Sequence, residues 1–181
     1  MKELSLNILD IIENSLKAKA KNIELTIVED DSKDLLLIEI KDDGVGMDEA
    51  LLKEVFDPFM TTSKNKKVGL GIPLLKLEAE LCDGGVFIES KMGLETIVKV
   101  YFKKSHIDVP PLGDLPATIV SIIATHPEVN LKFKHVVNNR TFEISTEDLR
   151  KTCEESLCTP LVLNSIKTFL EEKIKELHGG V

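Results

Sequence analysis

The sequence predicts an α+β fold: a mixed sheet with helices on one face, followed by a small α-β-β-α-α unit. Three observations point there. The chain opens on a helical periodicity, four strand-like segments follow in two pairs with helical segments between them, and a proline-rich break follows residue 108.

The first helix carries apolar Ile8, Leu9, Ile11, Ile12 and Leu16, with Ser5 expected as its N-cap. Ile23, Leu25 and Ile27 alternate with polar neighbours, which predicts a strand over 22–28. The acidic stretch Glu29-Asp30-Asp31-Ser32 is expected to turn into a second strand over 35–40. After the loop Asp42-Asp43-Gly44-Val45-Gly46-Met47 comes a short helix over 48–55, then a basic segment with Lys64, Lys66 and Lys67. Gly69-Leu70-Gly71 opens a helix with Pro73 in its first turn, and Asp83-Gly84-Gly85 stops it. Strands are expected over 86–90 and 96–102. Three prolines between Val109 and Pro116 predict a linker. Beyond it the pattern reads as a helix over 117–125, two strands about Asn138-Asn139, a helix capped by Ser145 and a last helix over 160–177. The domains are therefore set at 1–108, the linker at 109–116, and an accessory unit of unassigned role at 117–181. That unit is too small to bury a core alone and is expected to pack on the first domain or on a partner.

Composition narrows the partners. The 181 residues are 43% hydrophobic and 30% charged, which fits a globular protein. With no Trp, one Tyr and seven Phe, the core is expected to be aliphatic. A net charge of −8 makes nucleic acid a poor partner, since phosphate binding rests on Lys and Arg. No run approaches the roughly 18 apolar residues of a membrane span, and the N-terminus does not look like a secretory signal. Three scattered cysteines, Cys82, Cys153 and Cys158, suit a reducing compartment, so the cytoplasm is expected.

Chemistry concentrates in three places. On the first helix, Asn7, Asp10, Asn14 and Lys17 share one stripe. A solvated polar face would look the same. Yet the amide oxygen of Asn14 is a hard donor suited to Mg²⁺, and Asp10 is placed to orient or deprotonate a water. In the loop after the second strand, Asp42 offers an acceptor, and Gly44 and Gly46 admit close approach to backbone. An EF-hand is excluded because Lys41 breaks the acidic series, and a dinucleotide fingerprint because Glu49 stands where a third glycine is required. Finally, mobile lysines ahead of Gly69-Leu70-Gly71 make a phosphate site at a helix start, or else a solvated basic loop.

Taken in order, these segments resemble the GHKL superfamily of gyrase, heat-shock chaperone, histidine kinase and MutL, with its Bergerat ATP-binding fold. Leu9-Asp10-Ile11-Ile12-Glu13-Asn14-Ser15-Leu16-Lys17-Ala18 resembles its N box, and Asp42-Asp43-Gly44-Val45-Gly46-Met47 its G1 box. Val55-Phe56-Asp57-Pro58-Phe59 is similar to the kinase F box and Val68-Gly69-Leu70-Gly71-Ile72 to the G2 box, over about residues 1–103 in all. The resemblance implies a two-layer α/β sandwich that binds ATP with Mg²⁺. In it, Asp42 accepts the adenine amine, Gly44 and Gly46 admit the base, and Thr96 helps hold it. Asn14 ligates the metal, Lys17 approaches a phosphate, and Ala18, Met47, Lys64, Gly69, Leu70 and Gly71 line the site. Residues from about Phe59 to Val68 form the lid. Asp10 stands where hydrolysing members carry a Glu base, one methylene longer. Lys67 and Val68 replace Gly-Thr, and Glu95 replaces a Gly.

None of the four histidines sits in a phosphoacceptor motif. The expected function is a stand-alone histidine-kinase-like ATPase or protein kinase acting on a separate, unidentified protein. The other reading is an ATP-responsive interaction module with little turnover, and loss of nucleotide binding is the least favoured. Homodimerisation stays open.

Overall fold

The computed structural model describes residues 3–59 and 71–180. Its elements run α1 (Leu4–Lys17), β1 (Asn22–Asp30), β2 (Leu35–Asp42), α2 (Glu49–Glu54), α3 (Gly71–Leu81), β3 (Gly85–Lys91) and β4 (Glu95–Lys103). After these come α4 (Leu115–Thr125), β5 (Asn130–Val137), β6 (Arg140–Ser145), α5 (Thr146–Thr152) and α6 (Pro160–Leu177).

The six strands of the described residues form one sheet, in the order β3-β4-β2-β1-β5-β6. Only β1 and β5 pair in parallel; the other four pairs are antiparallel. The accessory segment therefore extends the first sheet, with the α-β-β-α-α order the sequence predicts. This is a mixed sheet with helices on one face. Register makes the two faces plain. Val98, Ile40, Leu25 and Phe133 form one row across β4, β2, β1 and β5, and Val100, Ile38, Ile27 and His135 the next. All eight are buried, under the apolar faces of α1, α3, α4 and α6. The opposite face carries ion pairs such as Lys41–Glu95 (3.0 Å), Lys99–Glu39 (3.3 Å) and Lys132–Glu143 (3.0 Å). Exposed pairs of this kind add about 0–1 kcal/mol each, so burial on the covered face holds the sheet.

Local chemistry departs from the sequence reading at several points. Ser5 does not cap α1. The helix begins at Leu4 and Ser5 is buried. The linker supplies the cap, as the carbonyls of Pro111 and Leu112 accept from the N–H groups of Leu4 (2.9 Å) and Ser5 (2.8 Å). The expected glycine stop after α3 turns on Asp83 instead, and Gly84 is needed for a steric reason. Asp83 takes the left-handed conformation (φ 54°), and a Cβ on Gly84 would stand 1.9 Å from the Tyr101 carbonyl oxygen. Glu29, expected in an acidic turn, is the last inward position of β1 and is buried. Burial raises its pKa, but hydrogen bonding with His135 and His178 outweighs that and holds the carboxyl at about 2.

Candidate functional site

The covered face ends in a polar row. Ser90 of β3 pairs with Thr96 of β4, and Thr96 with Asp42, the last residue of β2. Asp42 is buried, and its oxygens are held from two sides. Ser15 of α1 donates to Oδ2 (2.6 Å), and the Gly44 N–H donates to Oδ1 (2.9 Å). A carboxylate oxygen has two acceptor positions. Each Asp42 oxygen thus keeps capacity for one further donor, and its orientation is fixed beforehand.

The glycines of this loop are there because neighbouring backbone comes close. A Cβ on Gly44 would stand 2.9 Å from the Ala18 carbonyl oxygen, which accepts from Val45 N (2.9 Å). Gly46 has φ +73°, and its Cβ would lie 2.4 Å from the Lys91 carbonyl oxygen. The loop is thereby clamped between the end of α1 and the β3–β4 hairpin. Ser90 completes the clamp. Its hydroxyl accepts from Met47 N (2.8 Å) and lies 2.8 Å from Thr96 Oγ1.

On α1, Leu4, Ile8, Ile11, Ile12 and Ser15 are buried while Asp10, Asn14 and Lys17 are exposed along one face. Asn7 sits on that stripe but is tied to α3, its amide donating to Glu78 Oε2 (3.3 Å). A Cβ on Gly71 would stand 3.9 Å from Asp10 Oδ2, so the first residue of α3 faces the carboxylate. The structure thus gathers Asp42, Gly44, Gly46, Met47 and Thr96 into one clamp, which Ala18 joins through its carbonyl. Asp10 and Gly71 meet at the α1–α3 junction. Lys64, Gly69, Leu70 and most of the expected lid lie outside the described residues.

The model of the histidine kinase-, DNA gyrase B- and HSP90-like ATPase family matches residues 2–106. The chain belongs to that family. Over 92 residues it is 34% identical to Sporulation kinase C of Bacillus subtilis, covering 51% of this chain and 21% of that kinase. Over 82 residues it is 35% identical to the sensor histidine kinase CitA of Klebsiella pneumoniae, covering 45% and 15%. The sensor histidine kinase YvrG of B. subtilis is 25% identical over 99 residues, covering 52% and 17%. The chain therefore spans about a fifth or less of the curated relatives it matches. In fold alone it is similar to the N-terminal domain of a DNA repair protein, with TM-score 0.55 and 14% identity, over 80% of this chain and 52% of that one.

Residues 2–106 are thus a histidine-kinase-like ATP-binding domain. Two serines outside the expected site residues, Ser15 and Ser90, hold the candidate site in shape, Ser15 through Asp42 and Ser90 through Met47 and Thr96. Ser15 lies inside the N box, where a hydroxyl between apolar Ile12 and Leu16 was the available signal. Ser90 shows only as a polar residue at the end of a strand, and its role depends on β3–β4 register.

Proposed function

We propose that the chain binds ATP with Mg²⁺ and uses it on a separate protein. The observation that supports this is the buried, doubly held Asp42 at the end of the covered face, next in register to Thr96. The donor set fits the nucleotide. Asp42 would accept the adenine amine, Gly44 and Gly46 keep the loop low beside the base, and the Thr96 hydroxyl adds a second polar contact. Asn14, exposed on α1, offers an amide oxygen to Mg²⁺, a cation that keeps several waters and phosphate oxygens in its shell. Lys17, one turn on, would meet phosphate. Mg²⁺ would neutralise the charge of the phosphates, and Asp10, exposed on the same face, would orient and deprotonate the attacking hydroxyl or water. Lys64 and Gly69-Leu70-Gly71 would complete the phosphate side.

Calorimetric titration of the purified chain with ATP, with and without Mg²⁺, tests the reading. Saturable uptake that strengthens with the metal supports it; no uptake in a folded protein overturns it. The second reading, a nucleotide-gated module without turnover, is favoured by one feature: Asp10 is a methylene shorter than Glu and reaches less far toward a water. Phosphate release, measured alone and with candidate partner proteins, separates the two. The net charge of −8 counts against nucleic acid as the partner. Among the described residues no helix is long and apolar enough to cross a membrane, and the three cysteines are free thiols; we place the protein in the cytoplasm.

A further inference from the structure

The other end of the covered face is polar too, and nothing in nucleotide chemistry uses it. Glu29 closes β1 there, His135 stands on β5, and His178 follows the last turn of α6. Nε2 of His135 and Nε2 of His178 each lie 2.8 Å from Glu29 Oε1. Their three ligand-capable atoms fall within 4.8 Å of one another. His135 is fully buried and Glu29 nearly so, while the side chain of His178 is 41% exposed.

The tautomer of His178 is fixed by its other nitrogen. Nδ1 lies 2.8 Å from the carbonyl oxygen of Ile174, which can only accept, so Nδ1 carries a hydrogen. A neutral His178 then points the bare lone pair of Nε2 at a carboxylate oxygen 2.8 Å away. Two acceptors at that distance require either a shared hydrogen or a metal ion between them.

We propose that Glu29, His135 and His178 form a binding site for a divalent transition metal of the Zn²⁺ class. Two imidazoles and a carboxylate are donors this ion takes, with an open fourth position for water on the exposed His178 side. The outer contacts are those a metal site uses. His178 donates its second N–H to backbone. Glu29 Oε2 has Lys104 Nζ at 3.4 Å, which leaves Oε1 for the metal. Lys104 lies closer to Asp31 (2.6 Å), and Asp31 is itself fixed by Asn138, so the ammonium has a counter-charge of its own. Arg140 donates to the carbonyl of Leu177 (3.2 Å), holding the end of α6 in place independently of Glu29. Zn²⁺ bonds of about 2.0–2.1 Å set tetrahedral ligand atoms about 3.3–3.4 Å apart, so the cluster opens by about half an ångström to admit it. One support is missing. Nδ1 of His135 is buried without a partner among the described residues. A lost outer partner costs about 10- to 100-fold in affinity, so binding is expected to be weaker than at a fully supported site.

The site is remote from the nucleotide. Glu29 lies six residues along β1 from Ile23, which pairs with Asp42, and at about 3.3 Å per residue that is roughly 20 Å. Its ion would tie α6 to the sheet.

The test uses the full chain freed of metal by chelation. Calorimetry with Zn²⁺ is expected to show one ion per chain, Co²⁺ to give tetrahedral visible absorption, and Zn²⁺ to raise Tm. His178→Ala is expected to weaken uptake by more than about 10- to 100-fold, since a ligand and not an outer partner is lost. His178→Lys separates the metal from a simple ion pair, because an ammonium still pairs with Glu29 but offers no imidazole. A folded His178→Lys protein whose Tm no longer responds to Zn²⁺ supports the site. No uptake by the wild type, which leaves only a hydrogen bond between His178 and Glu29, overturns it. Uptake unchanged in His178→Ala, which places the ion elsewhere, also overturns it. ATP titration of the same samples is independent of every one of these outcomes.

Discussion

Asp42 shows how much depends on a single buried acceptor. Its two oxygens are held by Ser15 and Gly44, so Asp42→Asn keeps the shape but replaces one oxygen with an amide that must donate where a donor already points. A hydrogen bond to a charged group is worth about 1.5–3 kcal/mol. ATP affinity is therefore expected to fall roughly 10- to 150-fold. Calorimetry on the folded variant checks this, and unchanged affinity would remove Asp42 from the site. The neighbouring Asp43 has a different task. It accepts from the N–H groups of Lys21 (2.8 Å) and Asn22 (2.9 Å) and from the Asn22 amide (2.7 Å), pinning the start of β1. Desolvation by the surrounding backbone raises the pKa of this exposed residue, but these bonds outweigh it and leave the carboxyl below its ordinary value. A depressed folded pKa means stability present above the unfolded value, about 3.9, and lost as pH falls through the folded one. Asp43→Asn should be less stable at neutral pH and should flatten the acid limb of a Tm-against-pH curve below about pH 5. A variant whose acid limb matches the wild type would contradict this. The sequence displayed both aspartates but not this division of labour, because Asp-Asp-Gly does not reveal which carboxylate points inward. That is settled by β2 alternation and by a serine 27 positions earlier.

Elements were largely legible, since helix and strand periodicities are local. Their ends were less so. Ser5 has the composition of a cap, but the carbonyls that cap α1 come from Pro111 and Leu112, over a hundred residues away. Glu29 looked like a turn residue because an isolated acid reads as solvent-facing, and the rings that hold it arrive from β5 and α6. The exposed stripe of α1 is where the element becomes chemical. Asp10 faces the start of α3, and Asn14 lies one turn further. If Asp10 serves as the base, Asp10→Asn removes the proton acceptor while preserving size. General-base assistance is worth about 10²–10⁴ in rate. Turnover should drop by that factor with ATP affinity within a few-fold, whereas Asn14→Ala should lose the Mg²⁺ dependence of binding. Equal, measurable turnover by the wild type and Asp10→Asn would remove Asp10 as the base, and no turnover by either, with and without a partner, would leave a nucleotide-gated module.

At the scale of the whole molecule, a proline-rich segment suggests a boundary, but long-range pairing overrides it. Parallel β1–β5 pairing leaves no local mark, since each strand alternates alike whatever lies beside it. The consequence is a shared core. Leu25 sits beside Phe133 in register, Ile23 beside Leu131, and α4 packs on α1. The second segment contributes Leu115, Ile119, Ile122, Leu131, Phe133, Ile166 and Leu170, all buried. Each fully buried aliphatic or aromatic side chain is worth about 1.5–3 kcal/mol, against a total stability of about 5–15 kcal/mol for a domain. Part of that burial is shared with Ile23, Leu25, Ile27 and the inner face of α1, which truncation would uncover. It would also strip the caps from Leu4 and Ser5 and leave β1 as a bare edge. A chain ending at residue 108, although it contains every matched motif, is therefore expected to aggregate or to unfold without a cooperative transition. Chemical denaturation followed by circular dichroism decides it. A truncated chain that melts cooperatively with the midpoint of the full protein, and binds ATP equally well, would show that the two segments are energetically separate after all.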